Sequence, residues 1–246
     1  MLRKIHLIVG AGSGIGLEIA RKLLNTENAY VIGVGRREAP LSYLSGIQNG
    51  HAEIVDITIQ DGVKALFEKV RSTEGVLASV VNCAGSVVLK PTHLSSLEEF
   101  NATINVNLTS CFLLTKYAVP LMSADGGSFV FFSTAAVKAG LANHDLIGAA
   151  KAGVEGFTRM CAATYAAKNL RFNAIAPGLV KTPLTQRIHA SPTSAESSRQ
   201  MHALGRFGEP EQIASLACWL LSEDAAYMSG EIINFDGGLS LKVKAP

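Results

Sequence analysis

Two hydrophobic periods alternate along this chain. Near its start Ile5, Leu7, Ile8 and Val9 form a short, almost wholly apolar run, the pattern of a strand buried on both faces. A group of glycines follows. Then Ile15, Ile19 and Leu23 recur every four residues, with Glu18, Arg21 and Lys22 on the other side, which is helical spacing. The same alternation repeats. Residues 29–34 read as a second strand, and Ile54 and Val55 end a third just before Asp56. Val63, Leu66, Phe67 and Val70 return to helical spacing, and 76–81 is a fourth strand, closed by Asn82-Cys83-Ala84-Gly85. Ser95 and Ser96, each followed three residues later by a glutamate, resemble capping boxes opening a long helix over 97–117, ahead of Pro120. Residues 128–133 make a fifth strand, 146–167 a second long helix and 171–176 a sixth strand. Pro210 suits the first turn of a helix that reaches Leu221, and a last strand, 232–235, is closed by Asp236-Gly237-Gly238. Strand–helix units in this order predict an α/β fold, with a central parallel sheet of about seven strands and helices on both faces. No internal repeat and no linker divides the chain, so 1–246 reads as one domain.

Composition narrows the function classes. With 48% hydrophobic and 17% charged residues, the 246-residue chain can bury a large core. A net charge of +2 gives no broad basic field, so nucleic acid is not an expected partner. Cys83, Cys111, Cys161 and Cys218 are far apart in apolar surroundings, without metal-ligand spacing, and read as reduced core thiols. The apolar run after Arg3 and Lys4 is too short for a signal peptide, and no segment approaches a membrane span. A cytoplasmic location without membrane contact is expected.

Candidate chemistry begins at the glycines. Gly10, Gly12, Ser13, Gly14, Ile15 and Gly16 lie between the first strand and its helix. Such a turn presents bare backbone N–H groups at the positive end of a helix dipole, an anion site suited to a dinucleotide pyrophosphate. A tight turn without a ligand is the plain alternative. Ligands of doubly wound sheets sit at the carboxyl ends of strands, and unusual residues collect at six such ends. Besides the glycines these are Arg36, Asp56, 82–85, Ser133 with Thr134, and Pro177-Gly178. Six in succession favour a site over six separate turns. After the second strand, Gly35 stands where an acidic residue would bind ribose hydroxyls, and Arg36 and Arg37 follow. A guanidinium there matches a 2′-phosphate, so NADP(H) is expected ahead of NAD(H), against a solvated arginine pair.

Together these segments resemble the short-chain dehydrogenase/reductase family over nearly the whole chain. Its Gly-x-x-x-Gly-x-Gly loop is matched by Gly10, Gly14 and Gly16. Its Asn-Asn-Ala-Gly segment is matched by Asn82, Cys83, Ala84 and Gly85, and its helix-four asparagine by Asn107. Its Pro-Gly turn is matched by Pro177 and Gly178, with Thr182 as the implied contact to the nicotinamide amide. Gly205-Arg206, Gly208-Glu209-Pro210 and Asp236-Gly237-Gly238 match its C-terminal half. Asp56 and Ile57 resemble the residues that flank the adenine, although Asp56 could instead cap a turn. The resemblance implies a doubly wound Rossmann fold, a nicotinamide cofactor, a small-molecule substrate and a homo-tetramer or homo-dimer. Assembly is also suggested by Phe112, Leu113, Phe157 and Met160, which spread apolar surface over more than one side of the two long helices.

The catalytic segment departs from the family pattern. That pattern has a tyrosine four residues before a lysine and a serine thirteen before the tyrosine. Lys151 is present, but Ile147 takes the tyrosine position, and Thr134 takes the serine position with Ser133 beside it. Reducing a ketone requires a proton on oxygen. A phenol of pKa ~10, lowered by a neighbouring ammonium, supplies one, and isoleucine cannot. By resemblance, Lys151 meets the nicotinamide ribose. Thr134 could orient a carbonyl. Asn107 could hold a helix kink and a water, or be a locally satisfied core residue. His144 could donate a proton, though its plain reading is a solvated loop histidine. Residues 181–207 carry no convincing core pattern and read as a substrate lid, mobile if so, or as a disordered insertion. Two functions follow. One is an NADP(H)-dependent oxidoreductase of an unidentified carbonyl or alcohol, with a non-standard or absent proton donor. The other is a catalytically silent NADP(H)-binding protein, a sensor or a non-catalytic subunit. The breadth of the resemblance favours the enzyme.

Overall fold

The structure, a computed structural model, describes residues 2–241. β1 (Lys4–Val9) is buried throughout beyond Lys4 and leads through the glycine turn to α1 (Gly14–Leu24). β2 (Ala29–Gly35), β3 (Gly50–Ile54), α2 (Gln60–Ser72) and β4 (Val76–Asn82) follow. Val55 lies one residue past the end of β3, although its N–H still donates to the Gly35 carbonyl. The expected helix over 97–117 is interrupted. α3 (Leu97–Ile104) runs into a π-helical turn (Asn105–Thr109) and then α4 (Ser110–Ala118). Ser96 and Glu99 form the capping box that opens α3, whereas the Ser95 hydroxyl donates to the Pro91 carbonyl instead. β5 (Gly127–Phe132) stops one residue before the expected end, because Thr134 already caps the short α5 (Ala135–Ala139). α6 (Asp145–Tyr165) and β6 (Leu170–Pro177) match the expected long helix and sixth strand to within two residues. α7 (Gln186–His189) and α8 (Pro192–Gln200) then precede α9 (Pro210–Leu221) and β7 (Ile232–Phe235).

All seven strands are parallel, in the order β3-β2-β1-β4-β5-β6-β7. Chain order reverses between β1 and β4, so a crevice opens there at the carboxyl ends of the strands. Alternate strand residues feed two cores. Leu7, Val9, Phe129, Phe131 and Phe172 pack with residues of α2, α4 and α6 on one face. Ile8, Val81, Val130 and Ile175 pack with residues of α1 and α9 on the other. Phe129 and Phe172 are registered partners whose rings stack 4.2 Å apart. Among the described residues no helix is long and apolar enough to cross a membrane.

The segment 181–207, expected as a lid or a disordered insertion, carries the two helices α7 and α8. Ser191 caps α8 by accepting the Ser194 N–H, and Pro192 opens it. Only Ala195 of α8 is buried, so the helix has no apolar stripe to announce it in the sequence.

Candidate active site

The glycine turn sets one wall of the crevice. Gly10 has φ +81°, which a side chain would strain, and a Cβ at Gly16 would lie 2.4 Å from the Gly10 carbonyl oxygen. α1 can therefore press its N-terminus against the end of β1. Ser13 is its N-cap, and the Ser13 side chain makes no capping bond. The N–H groups of residues 12–16 find no backbone acceptor among the described residues. With the helix dipole behind them, they fit a pyrophosphate. Gly12 backs onto Pro40, where a Cβ would come within 2.7 Å of the proline Cβ.

The second wall comes from β4 and α4. Asn82 is buried and faces α4, donating to Ser110 Oγ at 2.9 Å and to Cys111 Sγ at 3.3 Å. Its Oδ1 accepts the Ala84 N–H at 3.2 Å. Asn82 thus shapes the turn from behind, and Ala84 and Gly85 form the surface of the cavity. A Cβ on Gly85 would lie 2.9 Å from Asn107 Oδ1 and 3.8 Å from Lys151 Nζ. Asn107 is held by protein partners on two sides. Its Nδ2 donates to the Thr103 carbonyl at 2.9 Å and to Ser86, and its Oδ1 accepts the Ser86 N–H. The Thr103 carbonyl is the acceptor that the helical ladder would use at this point, and the side chain's claim on it accompanies the π turn.

α6 carries the third wall. Lys151 is buried and makes no hydrogen bond or ion pair among the described residues. Burial pushes its pKa down, and the nearby Cys111 and Cys83 thiols partly oppose that. Burial in turn raises both thiols. The Lys151 amine borders the cavity with no protein acceptor taken up among the described residues, so it suits a ligand rich in hydroxyls. Ile147, one turn earlier, is buried and borders the same cavity. Thr134 borders it as well, with Oγ1 accepting the Ala136 N–H at 3.3 Å. The Ser133 hydroxyl is committed elsewhere, donating to Glu155 at 2.7 Å. His144 is half-buried in the turn before α6 and also lines the cavity.

β6 and the following helices complete the enclosure. Pro177 and Gly178 end β6, and a Cβ on Gly178 would lie 2.7 Å from His202 Nε2. Thr182 meets the glycine turn: a Cβ on Gly14 would lie 3.0 Å from Thr182 Cγ2. The cavity so formed has a volume of about 390 Å³ and includes Ile15, Val87, Leu89, Leu184, Ile188 and Met201 in its lining. Leu184 and Ile188 are four residues apart, a single apolar pair too short to mark a helix in the sequence. No pattern pointed to the Ser133–Glu155 bond, which links residues on different elements.

The adenosine end is more open. Arg36 is exposed just past β2. Asp56 accepts the Thr58 hydroxyl at 2.7 Å and the Thr58 N–H at 2.9 Å, which is a turn cap. These bonds, the hydroxyl first, hold its carboxyl below the usual range, and Arg36 adds to the effect. The Ile57 side chain is buried in the core beneath. Among the described residues no group of three or more His, Cys, Asp or Glu side chains could hold a metal.

Comparison with known proteins agrees with this geometry. A family model described as enoyl-(acyl carrier protein) reductase matches residues 10–240. The 3-oxoacyl-acyl-carrier-protein reductase FabG of Thermotoga maritima is 35% identical over 244 residues, covering 96% of this chain and 97% of that protein. The cis-4-hydroxycyclohexanecarboxylate dehydrogenase of Sinomonas cyclohexanicum is 35% identical over 240 residues, covering 96% of each. A short-chain type dehydrogenase/reductase from Mycobacterium ulcerans superposes with a TM-score of 0.92 at 30% identity, covering 98% of this chain and 91% of that one. With its parallel sheet, its glycine turn and its buried lysine in the same crevice, this chain belongs to the short-chain dehydrogenase/reductase family of oxidoreductases.

Proposed function

We propose that this protein is an NADP(H)-dependent oxidoreductase of a small, largely apolar carbonyl or alcohol, with a proton donor other than the residue at 147. The observation that carries the reading is Lys151: a buried lysine that lines the cavity without a hydrogen bond or ion pair among the described residues, near a glycine turn whose N–H groups find no backbone acceptor. The N–H groups of 12–16 would hold the pyrophosphate, Lys151 the nicotinamide ribose hydroxyls, and Thr182 the nicotinamide amide. A nicotinamide held there would supply hydride chemistry to the substrate carbon. Thr134 orients the substrate oxygen through its hydroxyl. Asn107 keeps 85–86 in place through its bonds to Ser86. The segment 181–207 serves as the lid, and Leu184, Ile188 and Met201 exclude water and select an apolar substrate body. Unbridged thiols at Cys83, Cys111, Cys161 and Cys218 support a reducing compartment, the cytoplasm.

Arg36 carries the cofactor preference. It is exposed at the end of β2, where no carboxylate precedes it. Fluorescence titration is expected to give NADPH a dissociation constant at least roughly tenfold below that of NADH, and Arg36→Ala narrows that gap. Equal affinities in the unaltered protein would overturn the assignment. A second reading, a cofactor-binding protein without turnover, rests on Ile147, which has no proton to give. NADPH oxidation across a panel of ketones, quinones and enones separates the two.

A further inference from the structure

We propose that His144 is the proton donor and acceptor of this site. The inference rests on the oxidoreductase reading above. His144 is the N-cap residue of α6, and Ile147 and Lys151 follow it at the third and seventh positions, one turn apart on the same face of the helix. All three border the same cavity. The Ala142 carbonyl lies 2.8 Å from His144 Nδ1. A carbonyl can only accept, so Nδ1 carries a hydrogen and donates it there. Nε2 has no protein partner among the described residues and is the nitrogen left for a substrate.

The cavity's other imidazole, the Ser133 hydroxyl and the Asn107 amide are engaged. His202 donates from Nδ1 to the Ser198 carbonyl at 2.7 Å, and its Nε2 accepts the Leu179 N–H at 3.0 Å. The Ser133 hydroxyl is held by Glu155. The Asn107 amide is spent on Ser86 and Thr103. Lys151 stands on the Gly85–Asn107 side, where the cofactor ribose belongs. Thr134 can donate a hydrogen bond, but an aliphatic hydroxyl does not give up its proton near neutrality. Imidazole does.

The exchange balances. During reduction, a hydride that bound reduced nicotinamide would supply, as its own C–H bond breaks, bonds to the carbonyl carbon, and the C=O π pair moves to oxygen. The new O–H bond forms as the Nε2–H bond of the imidazolium breaks, and water recharges the neutral ring. Alcohol oxidation runs the same exchange backwards, with Nε2 taking the hydroxyl proton as hydride leaves carbon.

The test uses the purified full chain, His144→Ala, His144→Gln, and His144→Ala combined with Ile147→Tyr. Gln keeps a donor for Ala142 and covers the case in which Ala fails to fold. Steady-state NADPH oxidation is measured with a panel of ketones, quinones and enones, and NADPH affinity by fluorescence. In parallel, the His144 ring signal, identified by its loss in His144→Gln, is followed by NMR as a ketone is added to the NADP⁺-saturated protein. Both single variants are expected to lose at least about a hundredfold in kcat with NADPH affinity intact. Ile147→Tyr, placing a phenol beside Lys151, is expected to return at least about tenfold, and the ring signal to move with ketone. Wild-type kcat in both single variants with an unmoved ring signal would overturn the proposal. So would a wild-type protein that binds NADPH but reduces nothing in the panel, and that result leaves the cofactor reading standing. A wild-type protein that does not bind NADPH overturns the cofactor reading instead.

Discussion

Lys151 and His6 show how burial, the largest effect on each, changes the chemistry of a cation-forming side chain. Lys151 is buried at the mouth of the crevice, where a ligand can complete it. His6 is buried within β1, 2.7 Å from Ser79 Oγ on β4, and desolvation, with a smaller contribution from Lys4, lowers its pKa from 6.5 to about 4. The unfolded chain therefore binds a proton at His6 between those values and the folded chain does not. The His6 contribution to stability is complete above pH 6.5, is lost as pH falls from 6.5 towards 4, and is constant below that. The full difference is about 3 kcal/mol. Urea unfolding at pH 7 and pH 4.5 is expected to show this extra loss in the wild type and not in His6→Gln. Equal losses in the two would mean that His6 titrates normally. Neither environment was legible in sequence: His6 is one residue in an apolar strand, and Lys151 was placed only by its resemblance to a family motif.

At the scale of elements, strands and amphipathic helices were legible because their periods report the two faces of the sheet. The corrections arose where a side chain outside the period intervened. Asn107 claims the Thr103 carbonyl and the expected continuous helix acquires a π turn. Thr134 caps α5, and β5 ends at Phe132. α7 and α8 bury too little to leave a stripe, so they read as a loop. β5 and β6, in contrast, depend on large apolar partners. Phe172 is fully buried, and its ring stacks on Phe129 and lies 5.6 Å from Tyr165. Phe172→Ala is expected to cost about 3–5 kcal/mol and to lower Tm by roughly 10 °C in calorimetry. A loss under about 1 kcal/mol would mean that the core collapses around the gap.

For the whole molecule, the open question is what covers the outer sides of α4 and α6. Phe112 is 48% exposed and Met160 64% exposed there, although neighbouring residues of the same helices are buried in the core. A second copy of the chain is the proposed cover, and multi-angle light scattering at micromolar concentration is expected to give at least twice the 25.9 kDa chain mass. A monomer would rule this out. Sequence by itself determined the α/β class, the strand count, the glycine turn and the arginines after β2, because each is written in local spacing or in a single residue type. It also placed Ile147 one turn before Lys151, since helical geometry fixes that separation. Tertiary structure alone decided that Asn82 stands behind the cavity wall, that Ser133 is spent on Glu155, and that Asp56 caps a turn while Ile57 joins the core. It also brought His144 into the cavity with one ring nitrogen held by Ala142. The reason is physical: periodicity assigns a residue to a face, whereas a side chain's partner depends on which elements the fold brings within about 3 Å of its polar atoms.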